Sequence, residues 1–152
     1  MSELRFRKYV VDNIENRYGY GCHISLVESH SSSPGIPDLD ICIDGLEFKL
    51  ELKYSYGNKQ PELRPTQVAW FRRRTKAGGR AWLLWHKEGK NYRVFYLIPG
   101  KKVPGLVKAF GVKPWEDAAC HAWRDKIDFA GLIQTIRATS RDNRRPSGLC
   151  RG

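Results

Sequence analysis

Apolar residues at Phe6, Val10, Ile14 and Tyr18 recur at helical spacing through ELRFRKYVVDNIENRY. This predicts a helix over residues 3–18 with one buried stripe, ended by Gly19 and Gly21. His23 to Val27 reads as a short strand, and ESHSSSPGIP, rich in Ser, Gly and Pro, as a loop. The period then changes. Leu39, Ile41 and Ile43 alternate with polar or small residues, as do Leu46, Phe48, Leu50 and Leu52, and Asp44-Gly45 between them is a two-residue hairpin signal. After the polar loop YGNKQPELRP, Thr66 is placed to cap a helix through QVAWFRRRTKA that Gly78-Gly79 closes. AWLLWH and YRVFYLI read as strands around a KEGKN turn. Residues 100–123 suggest one or two short helices, and Phe129, Leu132, Ile133 and Ile136 mark a helix over 127–138. The expected fold class is α/β, a mixed central sheet flanked by helices. The helix between the second hairpin strand and AWLLWH implies a right-handed crossover, hence strand 81–86 parallel to strand 46–53. One domain over residues 1–138 is expected, followed by a basic, mobile tail over 139–152.

The hairpin fixes more than topology. With Asp44-Gly45 at the tip, Leu39 faces Leu50 and Ile41 faces Phe48, which makes one apolar face. The other face carries Asp40 opposite Lys49 and Asp38 opposite Glu51, with Lys53 two residues further along. Like charges directly across a strand pair cost a few tenths to about 1 kcal/mol. The fold gains nothing from Asp38 against Glu51 unless a cation lies between them. Two carboxylates, a backbone oxygen and several waters suit Mg²⁺. Lys53 beside them can orient a water or offset charge growing on a phosphate. Solvated strand charges are the plainer account of the same pattern.

Net charge changes the picture next. Across 152 residues the formal charge is +11 at pH 7, and the isoelectric point is about 9.7. Such an excess concentrates polyanions, nucleic acid above all, and says nothing of chemistry. Cys22, Cys42, Cys120 and Cys150 form no C-x-x-C pair, so free thiols in a reducing compartment are expected rather than zinc. The charged N-terminal stretch lacks a signal peptide's apolar segment, and no 18-residue apolar run exists. A cytoplasmic protein without membrane contact is therefore the expectation.

Pro37-Asp38, a strand, a turn, then Glu51-Leu52-Lys53 resembles the motif of the PD-(D/E)XK nuclease superfamily. GIPDLDICIDG, FKLELK and LRPTQVAWFRRRTKAGGRAWLLW together are similar to its VRR-NUC branch, over roughly residues 35 to 86. The resemblance implies a restriction-endonuclease-like sheet and hydrolysis of DNA phosphodiesters with Mg²⁺ or Mn²⁺. It implies Asp38, Glu51 and the Leu52 carbonyl as metal ligands, Lys53 as the catalytic lysine, and Gln67 as a supporting site residue. An additional acid from the first helix is usual in the family, and Glu3 and Glu15 compete for that place. The branch's name-giving V-R-R has no counterpart; Arg72-Arg73-Arg74 lie on the helix instead. Stand-alone relatives include phage and archaeal Holliday junction resolvases, which act as two-fold dimers. A homodimer on branched DNA, in a phage-encoded protein working in its host's cytoplasm, is the corresponding expectation. A nuclease of flaps, single strands or foreign linear duplex is the alternative, and a non-catalytic DNA-binding module a third.

Further candidates for DNA contact are Ser32 and Ser33, through hydroxyls and amides, and Arg72, Arg73 and Lys76. Arg141, Arg144, Arg145 and Arg151 are placed to follow a backbone or simply to keep the tail soluble. The five tryptophans fit a core better than stacking on bases.

Overall fold

The computed structural model describes residues 1–28 and 34–142. Ser32, Ser33 and the tail arginines beyond 142 lie outside the described residues, as does Cys150.

Helix α1 (Glu3–Tyr18) buries Phe6, Val10 and Ile14, and Ser2 caps it by accepting from the Arg5 amide. Strand β1 (Cys22–Leu26) pairs antiparallel with β2 (Leu39–Ile43). The β2 hairpin partner is β3 (Leu46–Tyr56), with Leu39 opposite Leu50 and Ile41 opposite Phe48. Asp44 and Gly45 both take positive φ, 47° and 81°, as a tight hairpin with strand-matching twist requires. Helix α2 (Pro65–Lys76) then crosses over, and β4 (Ala81–Glu88) runs parallel to β3. Strand β5 (Arg93–Pro99) returns antiparallel. Two short helices follow, α3 (Val103–Leu106) and α4 (Lys113–Ala118), then β6 (His121–Arg124) and α5 (Phe129–Asp142). The result is a mixed six-stranded sheet in the order β1-β2-β3-β4-β5-β6, flanked by helices.

Alternation divides the core in two. Leu46, Phe48, Leu50 and Leu52 of β3, with Leu39, Ile41 and Ile43, pack with the buried faces of α1 and α5. On the opposite face Leu83, Trp85 and Ile98 pack against Trp70 and Phe71 of α2, Val103 of α3 and Trp115 of α4. All five tryptophans are buried.

Three local expectations need correction. Thr66 does not cap α2, because the helix already begins at Pro65, whose fixed φ suits the first helical position. Residues 121–124 form an edge strand where helix was expected. Only Trp123 of the four is buried, so no periodicity marked it. Helix α5 starts two residues later and runs four residues beyond the predicted 138. Among the described residues, no helix is long and apolar enough to cross a membrane, and Cys22, Cys42 and Cys120 are free thiols.

Candidate active site

Register places the acids. The last paired rung of the hairpin is Leu39–Leu50; one residue on, Asp38 meets Glu51. The contact is intimate: the Asp38 amide donates to Glu51 Oε2 at 3.2 Å, and the Leu52 amide donates to Asp38 Oδ2 at 3.0 Å. Glu51 is only 2 % exposed. Burial first, then the negative charge of Asp38, push its carboxyl up to about 8, against the opposing pull of Lys53. The single ammonium beside it does not offset burial and the Asp38 charge together.

The next rung explains why a backbone oxygen is on offer. Alternate rungs of an antiparallel pair exchange hydrogen bonds. Counting from the Ile43–Leu46 rung that closes the hairpin, bonded rungs fall at Ile41–Phe48 and Leu39–Leu50. The one after would be Pro37–Leu52, and proline has no N–H to give. The Leu52 amide finds Asp38 instead, while its carbonyl faces the same side without a donor from Pro37.

Gln67 ties the opposite wall to this cluster. It is 4 % exposed, in the first turn of α2. Its Nε2 donates to Glu51 Oε1 at 3.0 Å. Its Oε1 accepts from Lys53 Nζ at 3.3 Å and from the Arg64 amide at 2.9 Å, so the same oxygen serves the helix start. Lys53 Nζ lies 3.6 Å from Glu51 Oε1, with its side chain 12 % exposed. Gly35 lets the loop before Asp38 close against α2. Its φ is +84°, and a Cβ there would fall 2.1 Å from the Thr66 carbonyl oxygen.

A cavity of about 430 Å³ opens over these groups, lined by Glu3, Asp38, Glu51, Lys53, Glu62, Leu63, Arg64 and Gln67. The fold therefore gathers Asp38, Glu51, Lys53 and Gln67 in one place and brings Glu3 to its edge. Glu15 lines a separate hollow with Tyr20 and Cys22. Arg72, Arg73 and Lys76 are exposed on α2 and do not line the cavity; Lys76 lies nine residues past Gln67, roughly 13 Å along the axis. Arg74 covers the Trp70 ring at 4.8 Å. Glu62, Leu63 and Arg64 were not foreseen, since a polar loop has no period to read. Their nearness to Gln67 in the chain was the available signal.

Among the described residues, no group of three or more His, Cys, Asp or Glu is close enough to hold a metal. The facing pair Asp38 and Glu51 offers two carboxylates, with the Leu52 carbonyl one residue along the strand. That donor set suits a hard cation that takes few protein ligands and keeps much of its water, as Mg²⁺ does.

No protein-family model matches the chain, and no curated protein matches it. Among solved structures, the chain is similar to Hjc of Archaeoglobus fulgidus, described as a Holliday junction resolvase from an archaeal hyperthermophile. The identity is 18 %, over 62 % of this chain and 77 % of that one, with a TM-score of 0.40. A likeness this loose says nothing of activity.

Proposed function

We propose that this chain is a divalent-metal-dependent endonuclease that hydrolyses DNA phosphodiester bonds at the cavity over β3. The observation that carries the proposal is Asp38 facing Glu51 one rung past the apolar hairpin, with Lys53 beside them. Structural need alone does not explain two acids there, one of them buried and with its carboxyl raised. The motif resemblance and the +11 charge support the same reading.

In this reading Asp38, Glu51 and the Leu52 carbonyl would hold Mg²⁺ or Mn²⁺, which would supply Lewis acidity toward water and the phosphoryl group. Lys53 keeps an ammonium at the cavity wall, where it can donate to the attacking water or to a phosphate oxygen. Gln67 holds Lys53 and Glu51 at fixed separation through one amide, so neither spends the reaction searching for its rotamer. Glu3 at the rim is placed to accept hydrogen bonds from waters around the cation.

Branched DNA, cut by a homodimer, is the substrate we propose, on the resemblance alone. The test is cleavage of synthetic four-way junctions and linear duplex, with and without Mg²⁺, beside Glu51→Gln. Mg²⁺-dependent, symmetric incision of the junction that the variant lacks is the expected result. Equal cutting of linear duplex removes the branched-DNA assignment. Absence of any cleavage with Mg²⁺ or Mn²⁺ removes the enzyme.

A further inference from the structure

At the other end of α2 from Gln67 lies a second cavity, of about 300 Å³. Thr75 of α2, Thr139 of α5, Arg80 before β4 and Lys101 after β5 all line it. Close main-chain packing sets its shape. Gly100 lies where a Cβ would fall 2.3 Å from the Ala81 carbonyl oxygen. The chain leaving β5 therefore rests directly on the start of β4, and the residues next along each segment, Lys101 and Arg80, open on the same hollow.

Charge sets the two cavities apart. Over β3 the described lining holds Glu3, Asp38, Glu51 and Glu62 against Lys53 and Arg64. In the second cavity it holds Arg80 and Lys101 and no acid. Among the described residues neither of these cations forms an ion pair. Arg80 Nη1 reaches the Glu47 carbonyl at 3.5 Å, beyond the usual hydrogen-bond range. Two like charges on one hollow repel each other, and an anion between them reverses the sign. A helix C-terminus ordinarily opposes an anion through its free carbonyls. Here the carbonyls of Arg73, Arg74 and Thr75 already accept from the amides of Ala77, Gly79 and Gly78. The path between the cavities is also favourable to a polyanion. Helix α2 has no acid in its 12 residues, and Arg72, Arg73 and Lys76 are exposed along it. Its length, about 18 Å, matches about five base pairs of duplex.

We infer that Arg80 and Lys101 form a phosphoryl-binding site, which takes a backbone phosphate of the nucleic acid about five base pairs from the bond held at the cavity over β3. A cavity with two cations and no described acid carries the phosphoryl part of this inference. The polymer that brings the phosphate rests on the proposed nuclease reading. A phosphodiester and free inorganic phosphate share the chemistry, and the experiment separates them.

Binding of a fluorescent DNA duplex is measured by anisotropy, with Ca²⁺ in place of Mg²⁺, over a salt series. Wild type is compared with Arg80→Gln, Lys101→Gln, the double variant and Arg80→Lys. Each lost phosphate contact lowers the slope of log affinity against log salt by about 0.9, which is about eightfold in affinity at 0.1 M salt. The double variant is expected to lose about 1.8 from the slope, Arg80→Lys to keep it, and all variants to melt with the wild type. Calorimetry with inorganic phosphate on the same proteins is expected to show no saturable binding. A duplex slope unchanged in the double variant overturns the backbone contact. If inorganic phosphate then binds the wild type and not the double variant, the cavity serves the free ion and the polymer assignment is wrong; if neither ligand senses the two substitutions, the site itself is wrong. The parent reading fails separately. A wild type whose slope depends on Arg80 and Lys101 yet cleaves nothing keeps the site and loses the nuclease, and cleavage with a slope independent of both does the reverse.

Discussion

Replacing Gly35 by alanine tests whether the loop before Asp38 and the start of α2 form one unit. Two costs are separable. Gly35 has φ +84°, which for an L-residue costs roughly 1–2 kcal/mol. Its Cβ would also lie 2.1 Å from the Thr66 carbonyl oxygen and 2.9 Å from the Gln67 nitrogen, where ordinary contact begins near 3.4 Å. The first turn of α2 must therefore retreat by about 1.3 Å, and crowding of that kind adds roughly 1–3 kcal/mol. The retreat carries Gln67 with it. Hydrogen bonds of 3.0 Å to Glu51 and 3.3 Å to Lys53 do not survive such a shift. Misplacement by an ångström costs on the order of 100-fold in rate. Gly78→Ala is the control, with φ +88° but open space around its Cβ. Denaturant unfolding should show Gly35→Ala destabilised by about 2–5 kcal/mol and Gly78→Ala by only the conformational part, with the nuclease activity proposed here lost in the first and kept in the second. If the two variants unfold alike and both remain fully active, Gly35 does not couple the loop to Gln67.

Other outcomes stem from buried polar groups. With the Glu51 carboxyl at about 8 in the metal-free protein, a cation must displace a proton at lower pH. Mn²⁺ affinity by calorimetry should then rise about tenfold per pH unit up to 8 and flatten above it; equal affinity at pH 6 and pH 8 contradicts the coupling. In chelator, the same raised carboxyl makes stability fall as pH climbs from 4.5 to 8, and Glu51→Gln should remove that slope in thermal melts. His86 acts oppositely. It is fully buried, both ring nitrogens lack partners among the described residues, and burial lowers its pKa to about 4. Its contribution is present above pH 6.5 and lost as pH falls through 4, by up to about 3 kcal/mol. His86→Phe, stacked on Phe95 as the imidazole is, should flatten that acid limb, and a melting curve that keeps the limb rules His86 out as its source. Ser55→Ala strips the partner from the Trp85 indole and the Lys59 carbonyl; a loss of about 1–3 kcal/mol is expected, and an unchanged unfolding midpoint would show the segment is held otherwise.

The hairpin was legible because alternation and the Asp44-Gly45 turn leave one register, and that register alone sets Asp38 against Glu51. The parallel pairing of β3 with β4 followed from handedness. Gln67 was legible through resemblance, but its double duty was not. Whether its oxygen serves Lys53 or the helix start depends on where α2 begins, and Thr66 suggested the wrong residue. The segment from Lys59 to Arg64 was hidden for a different reason. Its near end is held through Ser55 and Trp85, a buried polar contact across two strands, and its far end through Gln67, and neither leaves a trace in local pattern. Edge strand β6 was missed because four residues with one buried side chain give no period.

The alternating faces of the hairpin have one further consequence. Leu39, Leu50 and Leu52 reach the core only in the pairing that also points Asp38, Glu51 and Lys53 into the cavity, and a slip by one residue would exchange the two sets. Correct burial and correct aim are thus a single event. During refolding, the nuclease activity proposed here should be constant per native molecule from the first molecules to the last, because the step that seals the interior also aims the three side chains.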